Sequence, residues 1–284
     1  MSETDSEPEE AITKGEITNT AVPASSAPGP APKPRNAFSE LMKPKPKPPP
    51  PQPQTSRSHP RLFGTRDGLG AYIADPAHSP RVIYHTPSFV AIHDLYPKST
   101  VHTLLLPRSP THSLQHPFDA FDDPAFLAAV RAEAATLKRT VAKELQRLLG
   151  PSSAQDAARE AVLDGRVPPP QASGGLPAGR DWEAEVKVGV HAHPSMSHLH
   201  VHVMSRDMHS ASMRHRKHYN SFNTPFFVGL EDFPLAAADP RRHPGVEGYL
   251  GRELVCWRCR RGFRNRFKEL KEHLEVEFEA WKRE

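Results

Sequence analysis

The sequence predicts an α+β fold, a small antiparallel sheet with helices, followed by a compact metal-binding finger. Three observations carry this. Short apolar runs bounded by turn residues fall in two groups, near residues 81–106 and 186–204, as strands do. Between them lies a single long amphipathic pattern opening at Asp123. The order β-β-β-α-β-β, with short links between neighbouring strands, favours antiparallel pairing with the helix on one sheet face. Near the end, Cys256-Trp257-Arg258-Cys259 is followed after thirteen residues by His273 and then by Glu277, a metal-ligand spacing.

Taken in chain order, residues 1–58 read as a disordered arm. Met1 to Glu16 is acidic and polar, and Pro28 to Pro53 is rich in Pro and Lys. Such composition buries too little apolar surface to offset its ordering entropy. Asn36 to Met42 is a short apolar island within it. Thr65 to Ile73 reads as a short helix weakened by Gly68 and Gly70 and stopped at Asp75-Pro76. Arg81–Tyr84, Phe89–His93 and Val101–Leu106 read as strands. The long helix has Asp123 as N-cap, Pro124 at its first position and Gly150 as C-cap. Leu127, Val130, Ala134, Leu137, Val141, Leu145 and Leu148 form its apolar stripe. Residues 151–180 are rich in Ala, Gly, Ser and Pro and read as a flexible insertion. Val186–Val190 and Leu199–Met204 are two further strands, and Phe267–Phe278 is a helix. The expected division is an arm at 1–58, a catalytic domain at 59–230 and a finger at 231–284.

Composition narrows the class. The net charge of +4 and pI of about 9.1 suit an anionic partner. So do the basic clusters Arg206–Lys217 and Arg258–Lys268. Two cysteines three residues apart argue against a disulfide scaffold and for a reducing compartment. No apolar run approaches the roughly 20 residues of a membrane span, and no signal-peptide pattern opens the chain. A soluble intracellular protein without a membrane partner is expected.

His198-Leu199-His200-Val201-His202 is the most informative stretch. On a strand, alternation puts the three imidazoles on one face and Leu199, Val201 and Val203 on the other. Imidazole suits nucleophilic and proton-transfer work near neutral pH. Three readings are open: a His-rich strand without chemistry, a three-His zinc site, and a phosphate-handling cluster. Pro194-Ser195-Met196-Ser197 leads in with small hydroxyl residues, and no carboxylate stands close in sequence. Both facts favour the last.

His-x-His-x-His followed by apolar residues resembles the signature of the histidine triad superfamily. Four stretches narrow the resemblance to its aprataxin branch, the DNA-adenylate hydrolases. They are Asp94-Leu95-Tyr96-Pro97-Lys98 with His102, His191 to His198, Lys217 to Thr224, and the C-terminal finger. The resemblance implies His200 as the nucleophile on the adenylate phosphorus, with His198 and His202 holding the phosphate. A nucleotidyl-histidine intermediate would then be hydrolysed. It further implies that Asp94 reads the ribose and that Lys98 and His102 supply charge and donors to phosphate. Ser195 and Ser197 donate to phosphate oxygens, His191 contacts phosphate and DNA, and Lys217 contacts the DNA backbone. Phe63 is the loosely aligned candidate for a residue wedged against the DNA end.

In the finger, Cys256, Cys259, His273 and Glu277 would hold a structural zinc, with Glu277 where a Cys2His2 finger has its second His. His273 and Glu277 share a helix face at i, i+4, and Glu275 is the fallback at poorer geometry. Phe263, Phe267 and Leu270 suit its small core, and Arg258, Arg260, Arg261, Arg264 and Arg266 would face phosphate. No catalytic metal is expected. The expected activity is removal of AMP from 5′-adenylated DNA ends in the nucleus. Its rivals are a general nucleoside phosphoramidase or dinucleoside polyphosphate hydrolase, and a non-enzymatic zinc-finger DNA binder. The sequence sets no preference among nicks, blunt ends and RNA-DNA junctions.

Overall fold

The computed structural model describes residues 66–170 and 175–284. The arm at 1–58, its apolar island and Phe63 lie outside the described residues. Six strands form one sheet in the order β1-β2-β3-β5-β4-β6. They are β1 Val82–His85, β2 Phe89–His93, β3 His102–Pro107, β4 Val186–His191, β5 Val201–Ser205 and β6 Phe227–Gly229. Every pairing is antiparallel. The five expected strands are present within one or two residues. β6 was not foreseen, because three residues are too few to show alternation; it pairs with Gly189–His191.

A short helix, α1 Gly70–Ala74, precedes the sheet, and α2 Pro117–Ala120 follows β3. The long helix, α3 Pro124–Leu149, opens as expected. The Asp123 carboxylate accepts the N–H groups of Ala125 at 2.9 Å and Phe126 at 3.2 Å. Its stripe packs in one cluster with Ala91, Leu105, Val190, Leu199, Val201 and Val203. The aliphatic residues Leu199, Val201 and Val203 are therefore buried under α3 as expected, but β5 begins only at Val201, so His198 and His200 precede the strand and His202 alone lies on it. Two details differ. Gly150 is right-handed (φ −49°, ψ −46°) and leads into a further single turn. The stripe ends on buried Leu149, while Leu148 is 41 % exposed, because the returning chain around Asp156 and Glu160 lies against this end of the helix.

The reading of 151–180 as a flexible insertion is corrected where the segment is described. It carries α4 Ala157–Leu163 and is anchored by the fully buried Asp156. That carboxylate accepts the Arg180 N–H at 3.0 Å and the Trp182 indole N–H at 2.8 Å. Ala154 and Gln155 donate to the carbonyls of Arg283 and Glu284. The Arg180 guanidinium lies against both the Trp182 and Trp281 rings, 4.5 and 4.9 Å from their centroids. One buried carboxylate orders a stretch whose composition alone resembles a linker.

α5 Arg216–Asn223 and the finger cover the opposite face of the sheet. The finger is a hairpin, β7 Leu254–Val255 with β8 Gly262–Arg264, followed by α7 Phe267–Trp281; α6 Pro244–Glu247 lies ahead of it. Met204 of β5 shares one core with Met208, Met213, Tyr219, Phe222, Leu254, Phe263, Leu270 and Leu274. The Trp257 indole N–H donates to the Asp207 carbonyl at 3.1 Å, and the Tyr219 hydroxyl donates to the Val255 carbonyl at 2.9 Å. The finger is thus packed onto the strand that carries His202. Among the described residues no helix is long and apolar enough to cross a membrane.

Candidate active site and finger cluster

β5 with the residue before it brings His202 and His200 beside His191 of β4, and β3 adds His102 from 100 residues away. The register sets Leu104 and Gly189 opposite His202. Gly189 has no substitute there: a Cβ would lie 2.3 Å from the Val228 carbonyl oxygen and 2.7 Å from the Phe227 ring. The rings of His191 and His202 are 4.6 Å apart, and those of His200 and His202 are 5.0 Å apart. Phe222 closes the cluster, its ring 5.5, 4.6 and 5.2 Å from His102, His191 and His202.

Hydrogen bonds assign the tautomers. His200 Nδ1 lies 2.8 Å from the His198 carbonyl oxygen. A carbonyl only accepts, so Nδ1 carries the proton and Nε2 holds a free lone pair. The Lys98 N–H donates to His102 Nδ1 at 3.1 Å. His102 therefore carries its proton on Nε2, which lies 2.9 Å from His202 Nδ1 and 3.5 Å from Asp94 Oδ2. His202 in turn is protonated on Nε2, and that buried atom has no protein partner, nor has Nε2 of His191. A nucleophilic nitrogen thus stands beside an inward-facing N–H donor, which is what attack on a phosphorus and restraint of its oxygens require.

The cluster is neutral near pH 7. Burial pushes His102 down from 6.5 to about 4 and His191 and His202 well below 6.5. His200 is lowered too, chiefly by burial, with the His198 carbonyl and the Asp94 charge opposing. The Lys98 ammonium acts in the same direction as burial on His102, His191 and His202.

The remaining expected residues are placed as follows. Asp94 Oδ1 caps a turn by accepting the Tyr96 N–H at 2.8 Å. Lys98 is buried, with its ammonium 5.8 Å from the Tyr96 ring centroid, rather than solvated. His102 has both ring nitrogens engaged within the protein, so it supports His202 in place of donating to phosphate directly. Ser195 and Ser197 are half-buried in the loop leading to His198, and the Ser197 N–H donates to the Arg66 carbonyl at 2.9 Å. Lys217, in the first turn of α5, lines a cavity of about 580 Å³ with His193 and Phe226. The donor atoms that converge around the cluster are those of Asp94, His102 and His202, within 4.8 Å, rather than those of His198, His200 and His202 together. Sequence reasoning missed Phe222 and Gly70. At Gly70 a Cβ would meet the His198 ring at 2.8 Å, so α1 rests directly on the triad. The glycine in the predicted helix was the available signal.

In the finger, donor atoms of Cys256, Cys259, His273 and Glu277 lie within 4.8 Å of one another. Cys259 Sγ is 3.1 Å from His273 Nε2, and that nitrogen is 3.1 Å from Glu277 Oε1. Arg258 Nη1 holds the other Glu277 oxygen at 2.6 Å, which orients the carboxylate. Two thiols, an imidazole and a carboxylate converging from a hairpin and a helix fit a tetrahedral zinc site. The fallback Glu275 is corrected: it is exposed and bound to His209 Nε2 at 2.6 Å.

Known proteins share this arrangement. Residues 77–209 match the HIT domain family, and residues 223–280 match the C2HE / C2H2 / C2HC zinc-binding finger family. The aprataxin-like protein of Saccharomyces cerevisiae is 32 % identical, over 76 % of this chain and 96 % of its own length. That of Schizosaccharomyces pombe is 31 % identical, over 76 % and 82 %. The crystal structure of the aprataxin ortholog Hnt3 in complex with DNA is 29 % identical, covers 76 % of this chain and 96 % of its own, and has a TM-score of 0.61. Fold and site define a histidine triad protein with a C-terminal zinc-binding finger. Within that class the chain belongs to the aprataxin family.

Proposed function

We propose that this protein is a DNA 5′-adenylate hydrolase that removes AMP left on DNA ends by abortive ligation, acting in single-strand break repair in the nucleus. The observation that carries the reading is the His200–His198 hydrogen bond, which leaves Nε2 of a buried, neutral imidazole as the nucleophile. Nε2 attacks the adenylate phosphorus, the anhydride bond to the DNA 5′-phosphate breaks, and that phosphate departs. Water then attacks the same phosphorus, the phosphorus–nitrogen bond breaks, and AMP leaves. His198 and His202 hold the phosphoryl oxygens together with His191, with Ser195 and Ser197 as further donors. Lys98 supplies fixed positive charge, Asp94 reads the ribose, and Lys217 contacts the DNA backbone.

The finger, read as residues 231–284, supplies phosphate contacts through its arginines. Cys256, Cys259, His273 and Glu277 would hold a zinc ion. When bound, it crosslinks hairpin to helix. The relatives' DNA-bound structures support DNA as partner, and the basic finger favours it over a general nucleoside phosphoramidase.

The test uses a nicked duplex carrying a 5′-adenylate. Wild-type protein releases AMP, and His200→Ala releases none. Retained turnover in that variant, or faster turnover of an AMP-amidate than of adenylated DNA by wild type, rejects the reading.

A further inference from the structure

A second cleft, of about 1080 Å³, lies between the outer part of β4, α5 and the finger. Lys187 reaches into it. Its ammonium donates to the Phe222 carbonyl and sits 4.8 Å from the Phe227 ring centroid. Among the described residues no carboxylate pairs with it. A half-buried ammonium held by one carbonyl and one ring is undercompensated. Burial, with the Arg206 charge adding to it, lowers Lys187 from 10.5 to about 8.

The cleft adds cations and rings in alternation. Arg206 stacks 5.1 Å over the Trp257 ring and has its nearest carboxylate, Glu185, only at 3.9 Å. Lys138 of α3 and Arg260 of the finger line the walls, and neither has an ion pair among the described residues. Of the acids in the lining, Asp232 is engaged by Arg241 at 2.5 Å. Arg252, also in the lining, is engaged by Glu247 at 3.3 Å, which leaves Glu231 and Glu253 against Lys138, Lys187, Arg206 and Arg260. Cations on several elements with aromatic faces between them match the way proteins track one nucleic-acid strand, charges to the backbone and rings to the bases.

We infer that this cleft, anchored by Lys187, binds the phosphodiester backbone of a single-stranded nucleic-acid segment outside the catalytic pocket. The inference rests on the proposed function only in taking nucleic acid as the partner. The carbonyl of Phe222 faces Lys187 while its ring faces the catalytic histidines. A strand held here is therefore anchored one residue away from the reacting centre.

The test uses the full chain, saturated with AMP, and a six-nucleotide oligothymidylate carrying one 5-iodouracil. Irradiation is expected to crosslink it to peptides containing Trp257 or Phe227. Lys187→Met and Arg206→Gln should each weaken binding at least fivefold and lower the salt slope by about 0.7; Lys187→Arg should restore both. Crosslinks confined to other peptides overturn the proposal. So does unchanged binding in both Lys187→Met and Arg206→Gln. Inorganic pyrophosphate is the second probe: Lys187-dependent binding of it without binding of the oligonucleotide also overturns the strand assignment. Hydrolysis of the adenylated nick is read separately in the wild type, so failure of that activity and failure of the cleft are distinct results.

Discussion

Nε2 of His102 lies 2.9 Å from Nδ1 of His202, and this contact decides which nitrogen of His202 faces the site. The direction of the relay begins at a backbone N–H, that of Lys98, which cannot reverse. A main-chain donor on one turn thus sets the proton position on a side chain of another strand.

His102→Ala should therefore lower turnover of adenylated DNA by about tenfold to a hundredfold, the usual cost of removing a partner that orients a functional histidine. His200 remains in place, so the loss falls on kcat more than on KM. An alanine variant with wild-type kcat would show that His202 needs no such partner.

Acid should affect rate and stability separately. His200 must be neutral to attack, and its value is lowered from 6.5, so the acid limb of kcat/KM should have its midpoint below pH 6.5. His102 is lowered from 6.5 to about 4. Between those values the unfolded chain binds more protons than the folded one, so stability falls as pH drops. The full shift is worth roughly 3 kcal/mol by pH 4. Urea unfolding at pH 7 and pH 5 measures the trend; equal stability at both would contradict burial of a neutral ring.

Gly70→Ala should reduce stability by about 1–3 kcal/mol, as overpacking does, because the new methyl meets the His198 ring at 2.8 Å. Activity should fall with it, since either α1 or the first triad histidine must move. Thermal unfolding and turnover measured together check this.

In the finger, Glu277→Ala should lower bound zinc and the melting temperature, leaving Arg258 with Glu284 as its remaining carboxylate partner. Glu275→Ala should leave zinc content unchanged and cost under about 1 kcal/mol, as for an exposed ion pair. Zinc content by elemental analysis separates the two. A chelator should reproduce the Glu277→Ala result in the wild type.

Much of this was legible in the sequence because local chemistry dictates it. Alternation in 198–204 separated the His face from the core face, and Asp123-Pro124 marked the start of α3. The Cys and His/Glu spacing located the finger. What was hidden depends on register or on distant partners. The pairing of β3 with β5, which joins His102 to His202, is not written in either segment alone. Asp156 looked like one more polar residue in a linker until Arg180 and Trp182 closed on it. Lys187 reads as an ordinary strand lysine, and only the Phe222 carbonyl and the neighbouring Arg206 reveal its position.

Met204 is two residues beyond His202, and its side chain belongs to the same core as Leu254, Phe263 and Leu270 of the finger. A module joined by a flexible tether can be exchanged between proteins without disturbing its host. Here no seam exists along which to cut. Grafting a foreign finger, or lending this one to another scaffold, would require redesigning the strand beside the nucleophile, so the two parts are bound to change together.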